Sequence, residues 1–256
     1  MNKRNLLTIF VLLVLCGFNA RAGNAQTPKT DTPAKPTIVI VHGAWGGAWA
    51  FKKVEALLRE KNFQVYRPQL TGQGDRVHLA RPDIGLNTHI DDVVNTILYE
   101  DLRDIVLVGH SYGGMVISGV ADRVPERIKR LVYLDALVPN DGDRVITMLG
   151  DLVKQMTKGD YVVPRWVKPD QPPPHDVPQS LKTFTDPIVL KNEAARKIPA
   201  TYILTVEKGK EAKDDDFFSQ SQRAKEKGWT MLQLTSDHNP QWSAPEALAE
   251  ILAGIR

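Results

Sequence analysis

A serine between two glycines is the residue of this chain whose surroundings most clearly predict chemistry. Ser111 lies in the sequence GHSYG at residues 109–113, directly after the apolar run 105–108 and before a segment with helical character at residues 115–123. A serine on a sharp turn from a strand into a helix presents its hydroxyl beside the N–H groups of the helix N-terminus, which favour a developing negative charge. The pattern therefore predicts that Ser111 is a nucleophile for acyl transfer.

A histidine near the end of the chain is the candidate general base. His238 lies in a polar turn after the last predicted strand, so its loop is expected at the same edge of the sheet as Ser111. The order serine, acid, histidine along the chain is one that serine hydrolases use. The other histidines are predicted to lie on the surface or in loops, or to support loop structure: His42, His78, His89, His110 and His175.

Two acidic residues are candidates for orienting that histidine. Asp135 ends an apolar strand, and a carboxylate in such a run is rarely buried without a partner, which an imidazolium would supply. Glu207 ends the fifth predicted strand but opens the lysine-rich run 208–213, which is typical of a solvated turn. The burial argument favours Asp135, with Glu207 as the alternative. The three aspartates at residues 214–216 are predicted to begin a helix.

Two glycine-bearing loops are expected to meet beside the serine. The first predicted strand leads into the glycine-rich loop 42–49, and open parallel sheets bind ligands where the strand order reverses. If the first strand lies beside the third, that reversal falls between this loop and Ser111. The backbone N–H groups of Ala44 and Tyr112 are then the candidate oxyanion donors. Three tryptophans are candidate walls of the substrate pocket: Trp45, Trp166 and Trp242.

The order of apolar segments predicts the fold class. It indicates an α/β fold with a mostly parallel six-stranded sheet and helices on both faces. Asn87 or Thr88 is the expected N-cap of the helix before Ser111. The six strands are expected at residues 37–41, 63–67, 105–108, 130–135, 201–206 and 230–234.

Residues 139–199 interrupt the alternation of strands and helices. This segment is rich in proline, lysine and aspartate, and it follows the fourth predicted strand, above the carboxyl ends of the sheet. We therefore interpret it as a cap over the predicted site. Five of its apolar residues have helical spacing, and the methionines among them are further candidate pocket walls: Met148, Leu149, Leu152, Val153 and Met156.

The N-terminal residues have the pattern of an export signal. Residues 1–25 combine two early basic residues, an apolar core too short to span a bilayer, and small-residue cleavage sites at 20–22 and 23–25. Residues 26–36 are predicted to be a disordered leader, and residues 37–256 the folded domain. The predicted location is therefore the periplasm or the external medium, without membrane attachment after cleavage.

The net charge argues against a nucleic-acid partner, and the cysteine content argues against a disulfide. The formal net charge is +3, but the predicted signal holds three basic residues and no acid, so the rest of the chain is neutral. A neutral domain gives no sign of a nucleic-acid partner. The single cysteine, Cys16, lies in the signal, so no disulfide is expected. No pattern predicts a metal site, a cofactor or an oligomeric state.

Taken together, the motifs resemble the α/β-hydrolase superfamily, in particular its small bacterial carboxylesterases and the plant methyl-ester hydrolase and hydroxynitrile-lyase group. The likeness covers residues 37–256 and is carried by GHSYGG at 109–114, VHGAW at 41–45, YLDALVP at 133–139 and DH at 237–238. By position the resemblance implies that Ser111 is the nucleophile and His238 the base, and that Ala44 and Tyr112 supply the oxyanion donors. It also implies carboxylesterase activity without a cofactor.

Two positions depart from the plant members of that group. Those members place an aspartate just after the fifth strand, where this chain has Glu207 and Lys208, and the difference favours Asp135 as the acid. The lyases have threonine and lysine where this chain has Gly43 and Asn239, which argues against cyanohydrin cleavage.

The expected function is hydrolysis of a small, apolar or aromatic ester through an acyl-enzyme. Two alternatives stay open. Carbon–carbon bond cleavage, by a lyase or a hydrolase, would use the same residues, and fold analogy does not separate the two chemistries. A non-catalytic protein that binds small ligands could share the scaffold, although the retained serine and histidine count against it.

Overall fold

The computed structural model describes residues 36–168 and 170–255 of the chain. Its strands are β1 (Thr37–Val41), β2 (Gln64–Tyr66), β3 (Ile105–His110), β4 (Ile128–Leu134), β5 (Thr157–Lys158), β6 (Tyr161–Val162), β7 (Gln179–Ser180), β8 (Ala200–Val206) and β9 (Thr230–Thr235). Its α-helices are α1 (Lys52–Glu60), α2 (Leu86–Tyr99), α3 (Gly113–Arg123), α4 (Val145–Leu149), α5 (Asp151–Met156), α6 (Lys182–Thr185), α7 (Phe218–Glu226), α8 (Pro240–Ser243) and α9 (Pro245–Gly254).

Six of these strands form one sheet in the order β2-β1-β3-β4-β8-β9, and every neighbouring pair is parallel. The predicted fold class is confirmed, with a main sheet that is parallel throughout. Because β1 lies between β2 and β3, the strand order reverses between β1 and β3. The loops that follow these two strands therefore meet at the crevice where such sheets bind ligands.

Apolar side chains cover both faces of the sheet. On one face, the buried cluster contains Val94 of α2, Met115 of α3 and Ala224 of α7. On the other face, Leu58 of α1 packs in a cluster with Leu252 of α9. Burial of this apolar surface stabilises the three layers, so the strand ends form a firm base for the loops that follow them.

The cap segment, defined here as residues 139–199, connects β4 to β8. It contains α4, α5 and α6 and a small antiparallel sheet in the order β5-β6-β7, which the sequence did not predict. The apolar residues with helical spacing lie on two short helices, because Gly150 between them has a φ of 57°. Val153 is buried in the core, whereas the methionines face a cavity described below.

Two predicted helix starts are wrong. Helix α2 begins at Leu86 after Gly85, so neither Asn87 nor Thr88 is its N-cap. The N–H of Leu86 instead donates to Asp186 Oδ2 at 3.2 Å, an acceptor that lies 100 residues later in the chain.

Residues 214–216 do not begin a helix either. A short 3₁₀ turn covers Ala212–Asp214, and helix α7 begins only at Phe218. The carboxylate Oδ1 of Asp215 accepts the N–H of Phe217 at 2.8 Å, so it shapes the turn before the helix.

Within the described residues, no helix is both long enough and apolar enough to cross a membrane. The predicted signal, residues 1–25, and residues 26–35 of the predicted leader lie outside the described part of the chain.

Candidate active site

Ser111 occupies the turn between β3 and α3 with a left-handed backbone, at a φ of 54°. Small neighbours make this turn possible. A Cβ on Gly109 would lie 2.6 Å from the carbonyl oxygen of Gly113, and a Cβ on Gly113 would lie 2.7 Å from that of Val41. Such a backbone costs a non-glycine residue about 1–3 kcal/mol and persists where the surroundings fix it, often at functional sites. The tight turn leaves the hydroxyl at the edge of the sheet.

Ser111, His238 and Asp135 form one hydrogen-bonded chain. His238 Nε2 lies 3.0 Å from Ser111 Oγ, and His238 Nδ1 lies 2.7 Å from Asp135 Oδ2. A carboxylate only accepts hydrogen bonds, so in neutral His238 the proton is on Nδ1 and Nε2 is free to accept from the serine. The His238 side chain is 36% exposed and that of Asp135 only 1%. The predicted convergence of these three groups is therefore present.

The turn after β4, and not the turn after β8, places a carboxylate against His238. Asp135 has a φ of 43°, and its Oδ1 accepts the N–H of Thr205 in β8 at 3.2 Å. Its two oxygens are thus both held, one by a backbone N–H and one by His238. Glu207 is exposed and forms an ion pair with Lys210 at 2.7 Å. The structure therefore brings Asp135 to the histidine and leaves Glu207 in solvent.

Two further histidines support the loops around the site, as predicted. His42 Nδ1 donates to the carbonyl of Gly43 at 2.8 Å, and its Nε2 accepts the N–H of Leu70 at 3.3 Å. His110 Nε2 donates to the carbonyl of His238 at 2.7 Å. Burial lowers the pKa of His42 to about 4 and, with the field of His238, that of His110 to about 3. Both rings are therefore neutral near pH 7 and hold backbone carbonyls.

His89 is not a surface or loop residue, so that prediction is wrong. It lies in α2 with no exposed surface, and burial lowers its pKa to about 4. Its Nε2 lies 3.0 Å from the carbonyl of Thr71, and its Nδ1 lies 3.0 Å from the hydroxyl of Tyr112. The helical spacing of α2 places it on the buried face, a signal that was available in the sequence. His78 is exposed and His175 is half-buried in the cap segment.

Two backbone N–H groups beside the serine are free to bind an oxyanion. Ala44 and Tyr112 line the same cavity as Ser111. Among the residues that the structure describes, neither N–H donates to a protein acceptor. The next N–H along the first loop, that of Trp45, is instead occupied by Gln179 Oε1 at 2.9 Å. A pair of free donors next to a nucleophile can stabilise the negative charge of a tetrahedral intermediate.

Two cavities open beside the serine and share the residues at its mouth, among them Ser111, His238 and Trp45. The larger, about 670 Å³, lies under the cap segment. Its volume is that of a small-molecule site. Its apolar walls are Val145, Met148, Leu149, Leu152, Met156, Phe184, Val206 and Phe217. Acidic residues occupy another part of its lining: Glu207, Glu211, Asp214, Asp215 and Asp216.

The smaller cavity, about 400 Å³, is lined by aromatic and amide side chains, among them Phe51, Trp242 and Gln241, and by small residues of the first loop. All three predicted tryptophans therefore line cavities next to Ser111. Trp45 stacks on Phe184, with ring centres 5.8 Å apart, and contacts Trp166 edge-on at 5.7 Å.

This arrangement is suited to nucleophilic acyl transfer. A serine hydroxyl is bonded to a histidine, the histidine is bonded to a buried carboxylate, and two free N–H groups lie alongside. Within residues 36–168 and 170–255, no three or more His, Cys, Asp or Glu side chains are grouped so that they could hold a metal ion.

The sequence model of the alpha/beta hydrolase family matches residues 38–251 of this chain, which is almost the whole described fold. The chain belongs to the alpha/beta hydrolase family.

Named relatives of this alpha/beta hydrolase include bacterial and plant enzymes. The carbendazim hydrolyzing esterase of Nocardioides sp. (strain SG-4G) is 34% identical over 240 residues, which cover 85% of this chain and 98% of the relative. The pFDCC methylesterase of Arabidopsis thaliana is 28% identical, with 84% and 93% covered. The predicted resemblance is therefore confirmed, and the chain is a carboxylic ester hydrolase.

A solved structure shows the same fold. An extracellular alpha/beta-hydrolase from a Paenibacillus species, described as sharing homology with tobacco salicylic acid binding protein 2, superposes with a TM-score of 0.71. The two chains are 22% identical, and the match covers 86% of this hydrolase and 98% of that chain.

Two residues of this hydrolase's site were missed by sequence reasoning. The ring of Phe217 stacks on His238, with ring centres 4.6 Å apart and planes 11° from parallel. Beside it, burial and the charge of Asp135 raise the pKa of the Asp215 carboxyl to about 6. Both residues follow β8 in a polar stretch, and nothing in that stretch predicts that it returns to the histidine.

Proposed function

We propose that this hydrolase is an exported serine esterase that works through an acyl-enzyme. The hydroxyl of Ser111 attacks the ester carbonyl carbon while His238 Nε2 takes its proton. The carbonyl oxygen becomes an oxyanion that the N–H groups of Ala44 and Tyr112 bind. Asp135 holds Nδ1–H of the histidine and stabilises the imidazolium that forms.

The second half of the cycle returns the enzyme to its starting state. The tetrahedral intermediate collapses, the bond to the alcohol oxygen breaks, and His238 donates its proton to the departing alcohol. Water then gives a proton to His238 and attacks the acyl-enzyme carbonyl. Collapse of the second intermediate releases the acid and returns the proton to Ser111.

One observation carries this proposal. The Ser111 hydroxyl lies 3.0 Å from His238 Nε2 at a mouth shared by two cavities, with Asp135 2.7 Å from the other ring nitrogen. This distance is within reach for proton transfer, and Asp135 favours the tautomer that acts as a base. The names of the relatives, an esterase for carbendazim and a methylesterase, support ester hydrolysis as the reaction.

The substrate class follows from the cavity walls. Met148, Met156 and Phe184 supply apolar surface on one side of Ser111, and Trp45 and Trp242 supply aromatic surface on the other. Such walls gain free energy from removing apolar groups from water. We therefore propose small esters with an apolar or aromatic acyl or alcohol group as substrates.

The deciding test replaces the nucleophile. Ser111→Ala is expected to abolish hydrolysis of p-nitrophenyl acetate, with an unchanged circular dichroism spectrum. Ser118→Ala, a matched control in the helix that follows Ser111, whose hydroxyl donates to the carbonyl of Gly114, should retain activity. Turnover by Ser111→Ala at the wild-type rate would remove the proposal.

Labelling separates catalysis from mere binding. A fluorophosphonate reagent should attach to Ser111, as peptide mass spectrometry would show, because only an activated serine displaces the leaving group. Absence of labelling would favour a ligand-binding protein. Product analysis with esters, cyanohydrins and β-diketones should yield acid and alcohol from esters only; cleavage of a carbon–carbon bond would point to the lyase alternative.

Export is the remaining part of the proposal, and residues 1–25 support it by their composition. Expression of the full chain in a bacterial host, followed by cell fractionation and N-terminal sequencing, tests it. The expected product lies outside the cytoplasm and begins at Gly23 or Gln26, after one of the two small-residue sites. An intact Met1 on the cytoplasmic protein would contradict export.

A further inference from the structure

The cap segment holds the backbone of the first oxyanion loop. The N–H of Trp45 donates to Gln179 Oε1 at 2.9 Å, and the carbonyl of Trp45 accepts the N–H of Val177 at 2.8 Å. Trp45 has a φ of 64°, in the left-handed region that a non-glycine residue adopts only when it is held there. The conformation of this loop therefore depends on Gln179 of β7 and on Val177, which precedes β7.

Both peptide units around Ala44 are pinned. In the peptide that carries the Ala44 N–H, the carbonyl of Gly43 accepts a hydrogen bond from His42 at 2.8 Å. In the following peptide, the Trp45 N–H is bound by Gln179, and the carbonyl of Ala44 accepts the N–H of Gly46 at 2.7 Å. A backbone fixed on both sides directs the Ala44 N–H towards one position without further ordering during the reaction.

The other end of the same amide is held within the cap segment. Gln179 Nε2 donates to Thr183 Oγ1 at 2.8 Å, and the Thr183 hydroxyl donates to the carbonyl of Ser180 at 2.8 Å. Beside the second oxyanion donor, the hydroxyl of Tyr112 contacts His89 Nδ1 at 3.0 Å. Because a carbonyl can only accept, His89 Nε2 donates to Thr71, and in the neutral ring Nδ1 accepts from Tyr112.

Four buried side chains thus form two hydrogen-bonded pairs beside the oxyanion donors, Gln179 with Thr183 and Tyr112 with His89. Their exposed fractions are 1% for Gln179, 0% for Thr183, 2% for Tyr112 and 0% for His89. Gln179 and Thr183 line neither cavity beside Ser111, so the hydrogen bond between them does not contact bound substrate. In a water-poor interior such hydrogen bonds are strong and directional, so they fix geometry more than they bind ligand.

We propose that Gln179 of the cap segment is a positioning residue for the oxyanion hole. Its amide oxygen sets the peptide after Ala44, and its amide nitrogen, bound to Thr183, keeps that oxygen in place. The cap segment then acts in the chemical step itself, in addition to walling the pocket. This inference rests on the proposed serine mechanism, in which these two N–H groups stabilise the tetrahedral intermediate.

The test replaces the amide and keeps the side-chain volume similar. Gln179→Leu is expected to lower kcat for p-nitrophenyl acetate by about 10- to 100-fold, the range that misplaced catalytic groups cause, while KM changes less than about twofold. Gln220→Leu is the matched control. Gln220 is similarly buried, and its Oε1 binds the N–H of Val138 at 3.1 Å, away from both donors.

A transition-state analogue separates positioning from general damage. A trifluoromethyl ketone adds to Ser111 and places a negative oxygen in the oxyanion hole, so its Ki should rise in Gln179→Leu in proportion to the loss in kcat/KM. Gln179→Glu should recover most of the rate at pH values where its side chain is protonated, because the neutral acid can accept from Trp45 and donate to Thr183. If Gln179 only stabilised the fold, neither the proportional rise in Ki nor the recovery of rate in Gln179→Glu would be observed.

A second variant covers the case in which Gln179→Leu fails to fold. Thr183→Val keeps the shape and removes the hydroxyl that accepts from Gln179 Nε2, so the amide is held less firmly, and it should lower kcat several-fold with KM unchanged. The inference would be overturned if the variant that folds lost no more rate than Gln220→Leu does. It would also be overturned if the Ki of the trifluoromethyl ketone were unchanged in that variant.

That failure differs from failure of the proposed function. If Ser111→Ala is inactive while Gln179→Leu or Thr183→Val matches the control, only the positioning role falls. If Ser111→Ala is active, the serine mechanism falls, and the inference with it.

Discussion

The turns after β4 and β8 occupy equivalent places in the fold, since both lie at the carboxyl ends of neighbouring parallel strands. Each begins with an acidic residue. Asp135 is buried, accepts an N–H of β8 and bonds His238, whereas Glu207 is exposed and pairs with Lys210. This difference shows that a carboxylate becomes part of the site when it is buried against a partner. An acidic residue at the end of a neighbouring strand is not sufficient.

The two turns nevertheless cooperate. The turn after β4 holds the histidine from its Nδ1 side, and the chain after β8 covers the ring with Phe217 and places Asp215 nearby. The β8 region therefore contributes contact surface and a nearby charge, and the β4 region contributes the hydrogen bond that selects the tautomer. Each of the following changes tests one side of this division.

The largest effect is expected from exchanging each acid for its amide. Asp135→Asn should lower kcat by about 10⁴-fold, because an amide can stabilise the wrong histidine tautomer and cannot balance an imidazolium. Glu207→Gln, the matched control, should stay within about twofold of the wild type. Steady-state kinetics with p-nitrophenyl acetate checks both. Equal losses in the two variants would mean that the two turns share the role.

The second effect concerns three histidines whose rings burial keeps neutral near pH 7: His42, His89 and His110. Burial lowers the folded-state pKa of His42 and His89 to about 4 and that of His110 to about 3, all below the ordinary histidine value of about 6.5. Below pH 6.5 the unfolded chain therefore binds more protons at these sites than the folded chain does. Their contribution to the free energy of unfolding falls as pH drops from 6.5 towards 4, by about 1.4 kcal/mol per pH unit for each histidine.

His110→Asn isolates one of these contributions. Proton uptake on unfolding at pH 5, obtained from the pH dependence of urea denaturation, should decrease by about one proton in this variant. The matched control His78→Asn changes an exposed histidine and should leave the uptake unaltered. An unchanged uptake in His110→Asn would show that His110 is already charged in the folded protein.

A smaller effect is expected from the ring that covers the histidine. Phe217→Leu removes a flat surface stacked 4.6 Å from His238 and should lower kcat by about 10-fold through looser orientation of the imidazole. Phe218→Leu changes the neighbouring half-buried ring, which has no stacking contact with the histidine, and should lower kcat by less than about twofold. Kinetics and melting temperatures of both variants distinguish loss of orientation from loss of stability.

The smallest effect concerns Asp215, whose pKa is raised to about 6 by burial and by Asp135. An acid with a raised folded-state pKa binds more protons in the folded state, so its contribution to stability declines as pH rises from about 4 to 6. Asp215→Asn should therefore raise the melting temperature by about 1–3 °C at pH 7.5 and leave it unchanged at pH 4. Asp216→Asn, an exposed neighbour, serves as the control. A lower melting temperature at pH 7.5 would contradict the assigned repulsion.

Much of the fold was predictable from local patterns, because each pattern has a local physical cause. The run 105–108 is apolar on both faces since its strand is central, and GHSYG needs its glycines since backbone atoms lie within 3 Å of where their Cβ atoms would be. The choice of Asp135 over Glu207 also followed from local context, namely an apolar run against a lysine-rich one. These inferences needed no knowledge of distant residues.

Two of the errors share a cause as well. Helix α2 starts at Leu86 because Asp186 of the cap segment supplies the acceptor, and His89 is buried because Tyr112 and Thr71 satisfy its ring nitrogens. In each case the deciding partner is far away in the chain. Local propensity predicts which groups need a hydrogen bond but not which distant group provides it.

The amino-acid sequence by itself determined the class of sheet and the position of the serine turn, and it singled out the histidine and the aspartate that lie against Ser111, because strand and turn preferences and burial are properties of short segments. Only the tertiary structure decided how the cap segment reaches the first loop, which buried side chains lie beside the two free N–H groups, and which ring covers His238. Those arrangements depend on hydrogen bonds and packing between segments up to about 130 residues apart, such as Trp45 with Gln179. Their partners are selected by the geometry of the folded chain, which no local pattern specifies.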